Sequence, residues 1–140
     1  MTIDEIKEKV ISEFEMFDDW MDRYDHLIEQ GKKLEPLDKQ YKTEDNLIKG
    51  CQSQVWLRAY LDEEGNLHFQ ADSEAIITKG LIALLVHVFS GHKPKEIENT
   101  GVDFLDQIGL KEQLSPTRSN GLFSMIKQMK LYAIAFQAKQ

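Results

Sequence analysis

A chain of 140 residues with 41% apolar types, among them 7 Phe, 4 Tyr and 2 Trp, holds one domain with a packed core and is neither disordered nor low-complexity. Its 17 Lys and Arg against 24 Asp and Glu leave a formal charge of −7, which argues for an acidic, solvated shell and against a nucleic-acid surface. The single cysteine, Cys51, excludes an intramolecular disulfide framework and a thiolate-ligated zinc or iron–sulfur centre built by this chain alone.

The opening run MTIDEIKEKV lacks the basic-then-apolar pattern of a signal peptide, and no stretch approaches ~18 consecutive apolar residues. A soluble, cytoplasmic protein with no membrane contact is expected. Thr2-x-x-Glu5 has capping-box spacing, and Ile3, Ile6, Val10, Phe14 and Phe17 follow at three- and four-residue steps, predicting a first helix. Asp18 or Asp19 can cap a second helix through Trp20, Tyr24, Leu27 and Ile28, which Gly31 is expected to stop. The stretch KKLEPLDKQYKTEDNLIKG is charged and broken by Pro36; it reads as an irregular connection whose length suggests a functional loop.

The periodicity then switches to two. Val55, Leu57, Ala59 and Leu61 alternate with Trp56, Arg58 and Tyr60, Glu63-Glu64-Gly65-Asn66 makes a turn, and Leu67, Phe69 and Ala71 build the return strand. Two strands alone are marginal, so residues 46–49 are read as a third edge. Asp72-Ser73 reads as an N-cap pair before AIITKGLIALLVHVF, apolar nearly all round like a buried central helix, with His87 as a satisfied core histidine. Gly80 inside that helix implies close approach by a neighbouring element. Pro94 and Gly101 bracket a short helix, and another runs through Val102, Phe104, Leu105 and Ile108. Ser115-Pro116 opens a last helix, with Leu122, Met125, Ile126, Met129, Tyr132, Ala133 and Phe136 as its apolar stripe and the methionines as core filler. No repeat or boundary interrupts the chain. A single domain over residues 1–140 is expected, of α+β class, with helices packed on a small antiparallel sheet of two to three strands.

Cys51 lies in GCQSQVW, where the long polar connection meets the first clear strand. A lone cysteine is most often a small buried hydrophobe. Here Gly50 permits a sharp turn beside it, while Gln52, Ser53 and Gln54 supply hydrogen-bonding neighbours in place of apolar ones. An acyl-transfer protease also needs a histidine within reach, and His26, His68, His87 and His92 are scattered along the chain. Sulfur-to-sulfur transfer asks for less, because a thiolate attacks the outer sulfur of a persulfide and the departing thiolate needs no general acid. Lys49 is the local cation that favours the thiolate, and Arg118 is a candidate brought near by folding. A solvated lysine and a surface-paired arginine are the alternatives for these two.

At these residues the chain resembles the SufE family of sulfur-acceptor proteins, including its CsdE branch. The resemblance is carried by NLIKGCQSQVW at residues 46–56, ADSEAIITKGLI at 71–82 and LSPTRSNGL at 114–122. It implies an α+β fold similar to that of the scaffold IscU. It also implies that Cys51 accepts sulfane sulfur from the persulfide of a cysteine desulfurase (SufS- or CsdA-like) and hands it to a SufBCD-type scaffold for iron–sulfur cluster assembly. Gly50, Gln52, Ser53 and Gln54 then form the acceptor loop, with Arg118 and Lys49 as supports for the thiolate or persulfide. The resemblance further implies stimulation of the desulfurase, no turnover by this chain alone and no metal or cofactor in it, the pyridoxal phosphate being the partner's. Because a persulfide is reducible, the Cys51 loop is expected to shelter in an apolar pocket and swing out on docking, with Gly50 as hinge. Two further readings of Cys51 stand beside this one: a binding module that activates the desulfurase without being labelled, and an independent thiol hydrolase.

Overall fold

Alternating apolar residues give the chain its sheet, and helical stripes cover one side of it. The structure, a computed structural model, describes residues 1–138; the last two residues of the expected domain, 139 and 140, lie outside the described residues. In order, the elements are helices α1 (Ile3–Glu15) and α2 (Trp20–Lys32), strands β1 (Val55–Leu61) and β2 (Leu67–Ser73), then helices α3 (Ile76–Phe89), α4 (Pro94–Asn99), α5 (Asp103–Gln107), α6 (Leu110–Gln113) and α7 (Pro116–Gln137). The protein is an α+β fold built on a two-stranded antiparallel sheet.

Local capping sets several boundaries. The Thr2 hydroxyl accepts from the Glu5 N–H while the Glu5 carboxylate accepts from the Thr2 N–H, a complete capping box. Asp19 caps α2 by accepting from the Met21 N–H, and Ser115 caps α7 by accepting from the Arg118 N–H, with Pro116 as the first helical residue.

The strands pair from Val55 opposite Ser73 to Leu61 opposite Leu67. Asp62 organises the turn, its Oδ1 accepting from the Glu64 and Asn66 N–H groups at 2.9 Å each. Val55, Leu57, Leu67, Phe69 and Ala71 are buried against the helical layer, where α3 contributes Leu81, Ile82, Leu85 and Val88 and α7 contributes Met125 and Met129. The opposite sheet face carries Trp56, Arg58, Tyr60, His68, Gln70 and Asp72, and the long polar connection crosses it as a strap. The Arg58 guanidinium lies 4.0 Å from the Tyr41 ring and 4.7 Å from that of Tyr60, and donates to Gln70 Oε1. Lys42 reaches over Trp56 to pair with Asp72 at 2.8 Å.

Several expectations are corrected. The third edge reduces to one bridge, Leu47 opposite Trp56, because the chain turns away at Lys49-Gly50. Gly31 does not stop α2: it is buried within it, packed on Gly80, and the helix ends at Lys32. Asp72 and Ser73 remain in β2, and α3 begins after Ala75 without a side-chain cap. The pull of Lys42 and Lys79 on Asp72 replaces the local cap. His87 is exposed, since α3 presents a narrow polar side in its last turn, where a basic residue also suits the helix dipole. The four-residue helix α6 was not expected from the pattern.

Candidate functional site

Cys51 rides on an arch between two pinned ends. At one end Ile48 is buried and its N–H donates to the Val55 carbonyl at 2.9 Å. At the other, the Gln54 N–H donates to the Glu74 carboxylate at 3.1 Å, and the Ser73 hydroxyl donates to the Gln54 carbonyl at 2.9 Å. Residues 49–53 span the gap. Gly50 bends it with a φ of +93°, a left-handed conformation that an L side chain resists.

The arch lies on the first turns of α7. Gly121 there is buried, and a methyl group on it would sit 3.6 Å from Cys51 Sγ, an ordinary contact distance, so the cysteine rests directly on this turn of the helix. The thiol donates to the Gly121 carbonyl at 3.6 Å. Cys51 is half-buried, and burial pushes its thiol above the ordinary cysteine range. The docked state is therefore a protonated, hydrogen-bonded thiol.

Beside the sulfur is a cavity of about 280 Å³ between the starts of α3 and α7. Ile77, Leu81 and Met125 form its apolar wall, while Gln52, Thr117 and Arg118 bring polar groups to it. Arg118 thus shares a cavity with Cys51, as the first residue of α7 whose backbone N–H is capped by Ser115. Lys49 is exposed and lines a separate cleft of about 250 Å³ formed by loop residues 47–54. Ser53 and Gln52 line both spaces. Among the described residues lining the larger cavity there is no histidine or carboxylate. Among the described residues, too, no group of three or more His, Cys, Asp and Glu side chains converges to hold a metal ion. A larger cavity, of about 330 Å³ between α2, α3 and the sheet, contains His68 and His87 but no part of the cysteine arch.

Sequence reasoning missed the partners that hold the arch: Gly121, Ser73 and Glu74. The interior glycine of α7, held at a cost of ~1 kcal/mol in helix propensity, was the local mark on this stretch of the helix.

Residues 8–133 match the family model described as SufE, Fe-S metabolism associated domain. The chain is 42% identical over 132 residues to SufE-like protein 1, chloroplastic/mitochondrial, of Arabidopsis thaliana; the match covers 94% of this chain and 36% of that longer protein. It is 41% identical to an uncharacterized SufE-like protein of Synechocystis, covering 94% of this chain and 82% of the relative. The fold is similar to a solution structure of a hypothetical protein from Thermus thermophilus, with a TM-score of 0.79 and 18% identity over 95% of this chain and 96% of the other. Among the described residues no helix is long and apolar enough to cross a membrane.

Proposed function

The chain belongs to the SufE family, associated with Fe–S metabolism, and on that premise we propose that Cys51 is a sulfur acceptor serving a cysteine desulfurase in the cytoplasm. The Cys51 thiolate attacks the outer sulfur of the donor's cysteine persulfide in line. A new S–S bond forms on Cys51, the donor's S–S bond breaks, and the donor cysteine leaves as a thiolate. The proton of the Cys51 thiol passes to solvent as the arch opens, and no external oxidant or reductant is consumed. Removing the persulfide frees the desulfurase for another turnover, which is how such a carrier stimulates its partner. The pyridoxal phosphate resides in the desulfurase, and this chain has no turnover of its own. A SufBCD-type assembly scaffold is the onward acceptor.

The observation that carries this reading is the placement of the one cysteine: half-buried on an arch pinned at Ile48 and Gln54, its sulfur beside an apolar-walled cavity that Arg118 shares. That cavity shelters an outer sulfur between encounters, and Arg118 is the cation able to stabilise a persulfide anion there. The absence of histidine among its described lining residues counts against a self-contained thiol hydrolase.

Intact-mass measurement after incubation with a cysteine desulfurase and free cysteine tests the proposal. One added sulfur atom, mapped to Cys51 and removed by a reducing thiol, is expected. Cys51→Ser should bind the desulfurase but gain nothing. Stimulation of the desulfurase with Cys51 unlabelled would replace transfer with allosteric activation.

A further inference from the structure

We propose that the tip of the α1–α2 hairpin is a second docking point for the sulfur donor, seating two exposed methionines in an apolar socket rimmed by Lys and Arg on that partner. The inference rests on the reading of Cys51 as an acceptor served by another protein.

Met16 and Met21 stand at the tip, 79% and 67% exposed, although methionine is a usual core filler. Around them Glu15, Asp18, Asp19 and Asp22 are exposed, and among the described residues none of the four forms an ion pair. Residues 1–32 contain 10 Asp and Glu against 4 Lys and Arg, so −6 of the chain's −7 resides in this hairpin. Arg23 does not offset the tip's outward charge. Its Nε donates to the Phe17 carbonyl at 2.8 Å and its Nη1 to the Ile108 carbonyl at 3.0 Å, turning the guanidinium inward. An apolar centre within a ring of one charge sign has the anatomy of an interface. Such a ring selects a partner of opposite sign and speeds its approach.

The tip is preorganised and linked to the site. Arg23 ties it to the end of α5, and the Tyr24 hydroxyl donates to the Gln113 carbonyl at 3.3 Å. Gln113 leads directly into the Ser115 cap and Arg118, on the cavity beside Cys51. Ile76, 66% exposed, lines that same cavity. A partner covering Cys51 therefore also meets Ile76, and the tip is joined to the same cavity through Gln113 and the start of α7. A second copy of this chain is the less fitting occupant, because it presents the same acidic surface and like charges repel.

The test titrates the whole chain against the pyridoxal-phosphate cysteine desulfurase of the same organism at several salt concentrations. Wild type is compared with Met16→Ser/Met21→Ser and Asp18→Asn/Asp22→Asn, and thermal unfolding verifies that each variant is folded. We expect the methionine pair to weaken Kd about tenfold and the aspartate pair to flatten its salt dependence. Sulfur uptake by Cys51 at saturating desulfurase should be unchanged. Wild-type Kd and salt dependence in both variants would overturn the proposal, as would self-association of wild type that the methionine pair abolishes. If wild type binds without labelling Cys51, the transfer reading fails while Kd still decides the docking tip.

Discussion

The Leu27 carbonyl of α2 meets Gly80 of α3 so closely that a methyl group on Gly80 would lie 2.6 Å from the oxygen. Gly31 packs on the same turn, where its own Cβ would fall 2.9 Å from the Gly80 nitrogen. The two helices thus cross backbone to backbone, above a fully buried Leu27 side chain. Gly80→Ala gains ~1 kcal/mol of helix propensity. Against it stands an overpacking cost of ~1–3 kcal/mol or more, and a backbone carbonyl has no rotamer with which to yield. Net destabilisation is expected, read as a lower urea midpoint. A midpoint at or above wild type would show that the crossing relaxes freely.

Asp72 ties three elements together. Its Oδ2 lies 2.8 Å from Lys42 of the strap, and its Oδ1 lies 3.4 Å from Lys79 of α3 and accepts from the Ser73 N–H at 2.8 Å. Burial pushes the carboxyl up, but the Lys42 and Ser73 hydrogen bonds and the Lys79 charge outweigh it and hold the group below the usual carboxylate range. Its contribution is therefore complete above the ordinary aspartate pKa and is lost as pH falls below it. Asp72→Ala should cost ~1–2 kcal/mol near neutral pH. Lys42 lies 5.5 Å from the Trp56 ring centroid, so indole emission should change as the strap loosens. Unchanged stability and emission would show that the strap is held by its other contacts, among them Tyr41 on Arg58 and the Leu47 bridge to Trp56.

What was legible in the sequence was what neighbours in the chain decide. Period-two alternation marks β1 and β2, and the stripe from Leu122 to Ala133 marks α7, because burial follows the geometry of each element. The Thr2 and Ser115 caps were legible because a cap closes within three residues. Asp72 has the same cap chemistry, yet it answers to lysines from two other segments. Gly31 has the composition of a helix stop but the role of a contact point, and only the packing of α2 on α3 separates the two. At the site, Gly50 is local to Cys51, so the sharp turn beside the cysteine was legible. The Gly121 carbonyl stands 70 residues away and Glu74 lies 20 from Gln54, distances over which spacing carries no information about contact.

The hairpin turn should show a distinct acid sensitivity. The His68 hydrogen bond at 2.7 Å, then the Asn66 N–H and the Glu64 N–H, hold the Asp62 carboxyl at about 2. A depressed carboxyl stabilises the fold fully above its unfolded pKa of ~3.9, and that stability is lost as pH falls toward about 2. Asp62→Asn keeps an acceptor for the turn but removes the charge. The stability difference between wild type and Asp62→Asn should therefore narrow below about pH 4. Unfolding midpoints measured against pH provide the check, and a constant difference down to the acid limit would assign the effect to turn geometry alone.

The thiol itself reports on the arch. Burial raises the Cys51 thiol, so the docked, neutral form is favoured while the exposed form ionises in the ordinary range. As pH rises through that range, ionisation of the open state draws the arch off α7, and docking is lost on approaching the higher folded value. Alkylation by iodoacetamide should thus show a midpoint above that of the unfolded chain. Gly50→Ala imposes a side chain at φ +93°, where its Cβ would collide with the Ser124 hydroxyl. The left-handed backbone alone costs ~1–2 kcal/mol, which the arch relieves by leaving α7. Alkylation of Gly50→Ala at neutral pH should be several-fold faster, with its midpoint shifted down toward the ordinary cysteine value. Equal rates and midpoints in the two proteins would mean that Gly50 does not set the docked position of the arch, and the hinge would have to lie elsewhere between Ile48 and Gln54.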